Sequence, residues 1–225
     1  MKTPFIATIL TIVRKDLRAE LRSREMISAM VLFALLSIVT FSFALELDRI
    51  AREEAVSGVV WVTVVFASML GLNRSMSIER EHGSLEAMLL APIAREAIFF
   101  GKMVGNFLFA LTVGLLLIPL TTVLFNITLT RPWLVIVLVL GTLGFAIVGT
   151  LLATMTVQTR ARETLLPIVM LPVALPVLLA AVKASTQILD DAPLADWITW
   201  PQMLLVVDFV YMTLCYLLFQ YVIEE

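Results

Sequence analysis

Met26–Leu45 reads MISAMVLFALLSIVTFSFAL, a run without one charged side chain. A helix of that length crosses the roughly 30 Å hydrocarbon core of a bilayer. Lipid offers no partner to backbone N–H and C=O groups, so such a run must satisfy them internally, as a helix does. Further apolar runs follow at Ala55–Leu72, Ile98–Phe125, Trp133–Val157, Thr164–Val182 and Pro201–Ile223. Only 15% of the 225 residues are charged and 60% are hydrophobic, where a soluble domain carries about 25% charge. The expected fold class is all-α integral membrane, a single domain over residues 1–225 with six transmembrane helices.

The inventory of reactive groups is thin. Cys215 stands alone, which rules out an intrachain disulfide and a cysteine-based metal site. His82 is the one histidine, so a metal cluster is not expected. There is no GxxxxGK[ST] loop for ATP and no Ser/His/Asp grouping for nucleophilic catalysis. The chain is not expected to be an enzyme. The charged stretch ahead of the first span is unlike a secretory signal.

Before the first span, Phe5, Ile6, Ile9, Val13, Leu17 and Leu21 recur at helical spacing, with Arg14, Arg18 and Arg22 on another face. A basic amphipathic helix of this kind lies in the headgroup layer, so residues 1–25 are expected as an interfacial helix; the alternative is a loose basic tail.

The longest polar interruption is NRSMSIEREHGSLEAMLLAPIARE, Asn73–Glu96. It carries Glu79, Arg80, Glu81, Glu86, Arg95 and Glu96 yet keeps Ile78, Leu85, Met88 and Leu89 at helical spacing. Gly83 costs a helix about 1 kcal/mol relative to Ala and marks a break. Ser84 is expected to cap a new helix with Glu86 in its first turn, and Pro92 ends that piece by disfavouring the helical conformation at Ala91. Two short amphipathic helices at an angle are predicted over residues 73–97, as a docking element. The competing reading is a solvated loop.

Within the spans, Lys102 is expected to snorkel to the interface. Gly101 and Gly105 form a GxxxG pair that permits close helix approach, a spacing that also arises by chance. Thr142, Ala146, Thr150 and Thr154 make a small stripe suited to helix packing. Pro167, Pro172 and Pro176 predict a kinked or broken fifth span. Residues 183–200 form an external segment with Trp197 and Trp200 as interface anchors. Asp208 is the one carboxylate inside a span; intramembrane carboxylates are candidates for substrate or proton handling, and Asp208 could otherwise face water or a partner subunit, or pair with Lys183.

Basic residues set orientation. Lys2, Arg14, Lys15, Arg18, Arg22, Arg24, Arg74, Arg80, Arg95, Arg160 and Arg162 fall on one side, against Arg49, Arg52, Arg131 and Lys183 on the other. The richer side, with both termini, the docking segment and the turn Gln158–Glu163, is expected to be cytoplasmic.

The element order resembles the permease subunit of type-two ABC exporters. Glu79-Arg80-Glu81-His82-Gly83-Ser84-Leu85-Glu86, closing at Ala91-Pro92, looks like that family's "RE-x-G-[ST]-L-E … P" pattern. The run Gly141–Thr150, the basic turn at Arg160–Arg162, and Leu165-Leu166-Pro167 through Leu171–Leu178 are similar to the CcmB family, the small permeases of cytochrome c maturation. That family's turn is richer in Arg-Gly than the Thr-Arg-Ala-Arg-Glu found here.

The resemblance implies a location in the bacterial inner membrane, surrounded by lipid. It implies a separate ATP-binding subunit (CcmA-like), contacted by Glu79, Glu81, Gly83, Ser84, Leu85, Glu86, Met88, Leu89 and Pro92. It also implies a haem-handling membrane protein (CcmC-like), a haem chaperone (CcmE-like) and a second permease copy, with no nucleic acid. No cofactor is expected on this chain itself; ATP enters through the partner, and haem belongs to the complex. The role implied is coupling of ATP hydrolysis to haem export or to release of the haem-loaded chaperone. A general exporter of lipid, drug or polysaccharide is the alternative, and an intramembrane enzyme or channel is disfavoured by the lack of paired polar residues within the spans.

Overall fold

A computed structural model describes residues 4–45, 49–81, 83–156 and 162–222. Among these, every regular element is a helix: α1 (Phe5–Ser23), α2 (Glu25–Ala44), α3 (Arg49–Glu81), α4 (Ser84–Leu90), α5 (Arg95–Phe125), α6 (Pro132–Thr156), α7 (Arg162–Leu189), α8 (Leu194–Trp197) and α9 (Thr199–Val222). Six of them, α2, α3, α5, α6, α7 and α9, contain stretches long and apolar enough to cross a membrane. The expected six-span all-α architecture is therefore present.

Two of the six form the centre. In α3 and α6, 72% of the apolar stretch is buried, against 22 to 33% in the others. The small residues of α6 explain its place: Thr142 and Thr150 are fully buried and Ala146 nearly so, letting α3, α5, α7 and α9 all pack on it. Trp61 on α3 lies against Gly141, where a Cβ would strike the indole ring. Its Nε1 donates to Ser185 Oγ of α7 at 2.9 Å. Asn106 on α5 donates to Thr150 Oγ1 of α6 at 2.9 Å. These bonds tie the inner helices to the outer ones at fixed register.

Several boundaries differ from expectation. Hydropathy bounds the second span at Ala55–Leu72, yet α3 is one 33-residue helix that absorbs Asn73–Glu81. Nothing between Leu72 and Glu81 breaks a helix, and polarity alone does not end one. At 1.5 Å per residue α3 is about 50 Å long, so it outruns about 30 Å of hydrocarbon. Only one separate short helix, α4, follows it. The fifth span also continues, since α7 runs through all three prolines to Leu189 without interruption. The external segment expected from Lys183 thus begins after Leu189. Trp197 is not an interface anchor: it is buried, its Nε1 donates to Ala192 C=O at 3.2 Å, and its ring packs edge-on against Trp133. Trp200 donates to Gln187 Oε1 at 3.0 Å.

Helix α1 forms where periodicity placed it, and it packs along α5. Ile12 sits on Gly101, close enough that a Cβ there would collide with it, so the glycine pair does bring two helices together. Ile6, Leu10 and Leu21 remain exposed on the outer side. Arg24, with φ 56, turns the chain from α1 directly into α2. The buried Glu20 accepts the Ile27 N–H at 2.8 Å, satisfying a donor that the first turn of α2 would otherwise leave unpaired.

Candidate functional site

The site begins at a left-handed glycine. Gly83 has φ 61, a conformation that side chains disfavour, and it separates α3 from α4. The expected cap differs: Gly83 itself is the N-cap, and no side chain caps α4. Ser84 instead donates to Glu79 C=O at 3.3 Å, closing the end of α3. Ala91 is extended, as a residue preceding proline should be, and α4 stops at Leu90. Seven residues long, α4 packs on α3.

The docking residues read from sequence separate into two groups. Glu81 and Pro92 are exposed, and Gly83, Ser84 and Met88 are partly so. Glu79 is turned inward and is only 5% exposed. The side chains of Leu85, Glu86 and Leu89, and His82 entirely, lie outside the described residues, as does most of the turn Gln158–Glu163. Leu90 was missed, although it closes the same apolar run, and it is 89% exposed.

Glu79 is inward because two cations meet it. Lys15 of α1 donates to Glu79 Oε1 at 2.7 Å, and Lys102 of α5 reaches the same oxygen at 2.5 Å. Lys102 also donates to Asp16 Oδ2 at 2.8 Å. The result is a four-member cluster of balanced charge joining α1, α3 and α5 beside the root of α4. Lys102 does not snorkel outward; its side chain is 4% exposed because α1 brings Asp16 nearer than water. Burial works against the charge on Lys15, but Asp16 and Glu79 outweigh it and raise its pKa above the usual lysine value.

A cavity of about 600 Å³ opens beside this cluster, between α1, the start of α2 and the end of α3. Arg74 and Glu25 pair across it, linking α3 to α2. The end of α3 is thereby fastened to three helices. Gly83 thus leads from α4 to an end of α3 that is bonded to α1, α2 and α5.

At the opposite end, Arg131 holds Asp191 with both guanidinium nitrogens, one of them at 3.0 Å, and also donates to Ile188 C=O. The hydrogen bond from Arg131 keeps the Asp191 carboxyl below the ordinary carboxylate pKa.

Asp208 belongs to a different interface. It is buried on α9, with its carboxyl against Gly144 of α6 and Val177 of α7 alongside. Neither oxygen has a hydrogen-bond partner among the described residues, so the suggested pairing with Lys183 is not made.

Comparison with known proteins extends over both regions. Residues 7–222 match the family model described as CcmB protein. The Heme exporter protein B of Rhodobacter capsulatus is 30% identical over 170 residues, covering 73% of this chain and 76% of that protein. The protein of the same name from Pseudomonas aeruginosa is 27% identical over 180 residues, 80% of each chain. That of Bradyrhizobium diazoefficiens is 26% identical over 179 residues, covering 79% and 81%. The family match starts within α1 and ends with the last residue of α9, taking in the α4 joint and the Asp208 interface alike, and the chain therefore belongs to the CcmB family.

Proposed function

We propose that this chain is the permease subunit of an ABC-type haem exporter complex in the bacterial inner membrane. An ATP-binding subunit docks on α4 and the exposed residues around it, with both termini on the cytoplasmic side. A second copy of the permease completes the assembly, and the work is delivered to a haem-handling membrane partner and a haem chaperone.

The observation that carries this reading is the joint under α4. A seven-residue helix on a left-handed glycine, rooted in a cluster that joins α1, α3 and α5, suits the receipt of force. A solvated loop needs no such anchoring. The names of the relatives support haem as cargo of the complex, and the basic bias of the α4 end supports its cytoplasmic placement.

The test is a strain lacking this gene. The periplasmic chaperone is expected to load haem and to accumulate in the loaded form, with c-type cytochromes missing. A chaperone that stays empty of haem means this subunit delivers haem itself. Normal cytochromes mean the cargo is something else, a lipid, drug or polysaccharide.

A further inference from the structure

Asp208 lies nine residues into α9, about 13 Å along the helix axis. It is 5% exposed, and water reaches neither of its oxygens. An ionised carboxylate held this way, without a hydrogen bond or counter-charge, is so unfavourable that such a group neutralises instead.

Among the described residues, no neighbour supplies the missing charge. The α6 sequence contains no ionisable residue. On α7, Lys183 lies about 9 Å along the helix from Val177, and Arg162 and Glu163 lie about 20 Å from it in the other direction. On α5, Lys102 is already held by Asp16 and Glu79, and Arg95 and Glu96 lie in the first turn. On α8 the charged residue is Asp196, of the wrong sign. Within α9, the Tyr211 hydroxyl donates to Val173 C=O at 2.6 Å, and Cys215 is buried.

The space is built for the carboxyl nonetheless. A Cβ on residue 144 would collide with Asp208 Oδ1 and stand 3.0 and 3.2 Å from the Val177 methyls. The missing side chain at Gly144 is what leaves room for the acid. A metal ion or an ammonium group needs space against the oxygens; a proton does not.

We infer that Asp208 is a proton-binding site, loaded in this conformation, whose discharge is coupled to separation of α9 from α6 and α7. The step is simple. Water enters the opened interface, the carboxyl O–H bond breaks, its electron pair stays on oxygen, and the proton passes to that water. The carboxylate so formed is stable only while the interface stays open, so proton occupancy and helix packing control each other. This holds whatever cargo the complex handles.

The full-length protein in lipid nanodiscs, wild type and Asp208→Asn, tests both halves. Asn is close in size and neutral, so the variant is expected to fold. Infrared spectra at neutral pH should contain a protonated-carboxyl C=O stretch in the wild type that the variant loses. Cys215, two turns further along α9 and the only cysteine, reports the interface through its labelling rate with a small maleimide. Thiolate chemistry raises that rate with pH in both proteins, so the ratio of wild type to variant is the readout. The ratio is expected to climb several-fold as pH rises and Asp208 discharges. A wild-type spectrum that matches the variant in the protonated-carboxyl region overturns the proton assignment. A ratio that stays flat with pH overturns the coupling.

Discussion

Lys15 and Glu79, 64 residues apart in sequence, meet at 2.7 Å beside the root of α4. Lys102 donates to the same carboxylate oxygen. Removing one member of a buried charge cluster leaves the others uncompensated, at a cost of about 3–5 kcal/mol. Asp16 still covers Lys102 when Glu79 is lost, so Glu79→Ala is expected near the lower end, about 3 kcal/mol. Equilibrium unfolding in detergent measures it. The Glu79→Met, Lys102→Met pair should cost less than the sum of its single changes. A Glu79→Ala protein as stable as the wild type removes the joint from the account.

Gly141 accepts the ring of Trp61, which is fixed in turn by its hydrogen bond to Ser185. Gly141→Ala should force the ring away and cost about 1–3 kcal/mol by overpacking. In a Ser185→Ala background the indole is free to shift, and the same change should cost less. Equal costs in the two backgrounds would show that the bond does not hold the ring.

The Arg131–Asp191 pair carries a pH prediction. The folded-state pKa of Asp191 is depressed, so its contribution is present above the unfolded carboxylate pKa and is lost as pH falls through the folded value. The Asp191 side chain is exposed, so the effect is local. Amide exchange in the Arg131 and Asp191 loops, corrected for its intrinsic pH dependence, should accelerate in the wild type only below about pH 4. In Asp191→Asn it should already be fast at neutral pH. A wild-type loop insensitive to acid contradicts the pair's role.

Orientation is tested by reporter fusions. Fusions after Gln158 and Glu225 should behave as cytoplasmic, and fusions near Glu53 and Asp191 as external. A C-terminal fusion that reports an external position inverts the assembly proposed for α4.

The spans were readable because apolar runs of bilayer length with at most one charge have few alternatives, and α1 because its apolar residues recur at helical steps. Gly83 and Pro92 marked the ends of α4 by local backbone chemistry alone. What local reasoning missed is tertiary. Locally, Glu79 reads as a docking residue and Lys102 as a snorkelling chain, since nothing nearby in sequence announces a partner 64 or 86 residues away. The same holds for Trp197, whose aromatic character suggests an interface until Trp133 is found beside it. Asp208 was visible as an oddity, but its isolation depends on Gly144, which only packing reveals.

The central claim is that an ATPase engages this chain at α4, and Leu90 offers the cleanest access to it. At 89% exposure, Leu90 supports no core, so Leu90→Glu should leave insertion and thermal stability unchanged. Gly83→Pro serves as the geometric companion, because proline cannot adopt φ 61. The measurement is the amount of ATP-binding subunit that copurifies with the permease in mild detergent. The account predicts a marked loss in both variants with the permease still inserted and folded. Full retention of the ATPase by both variants would contradict it.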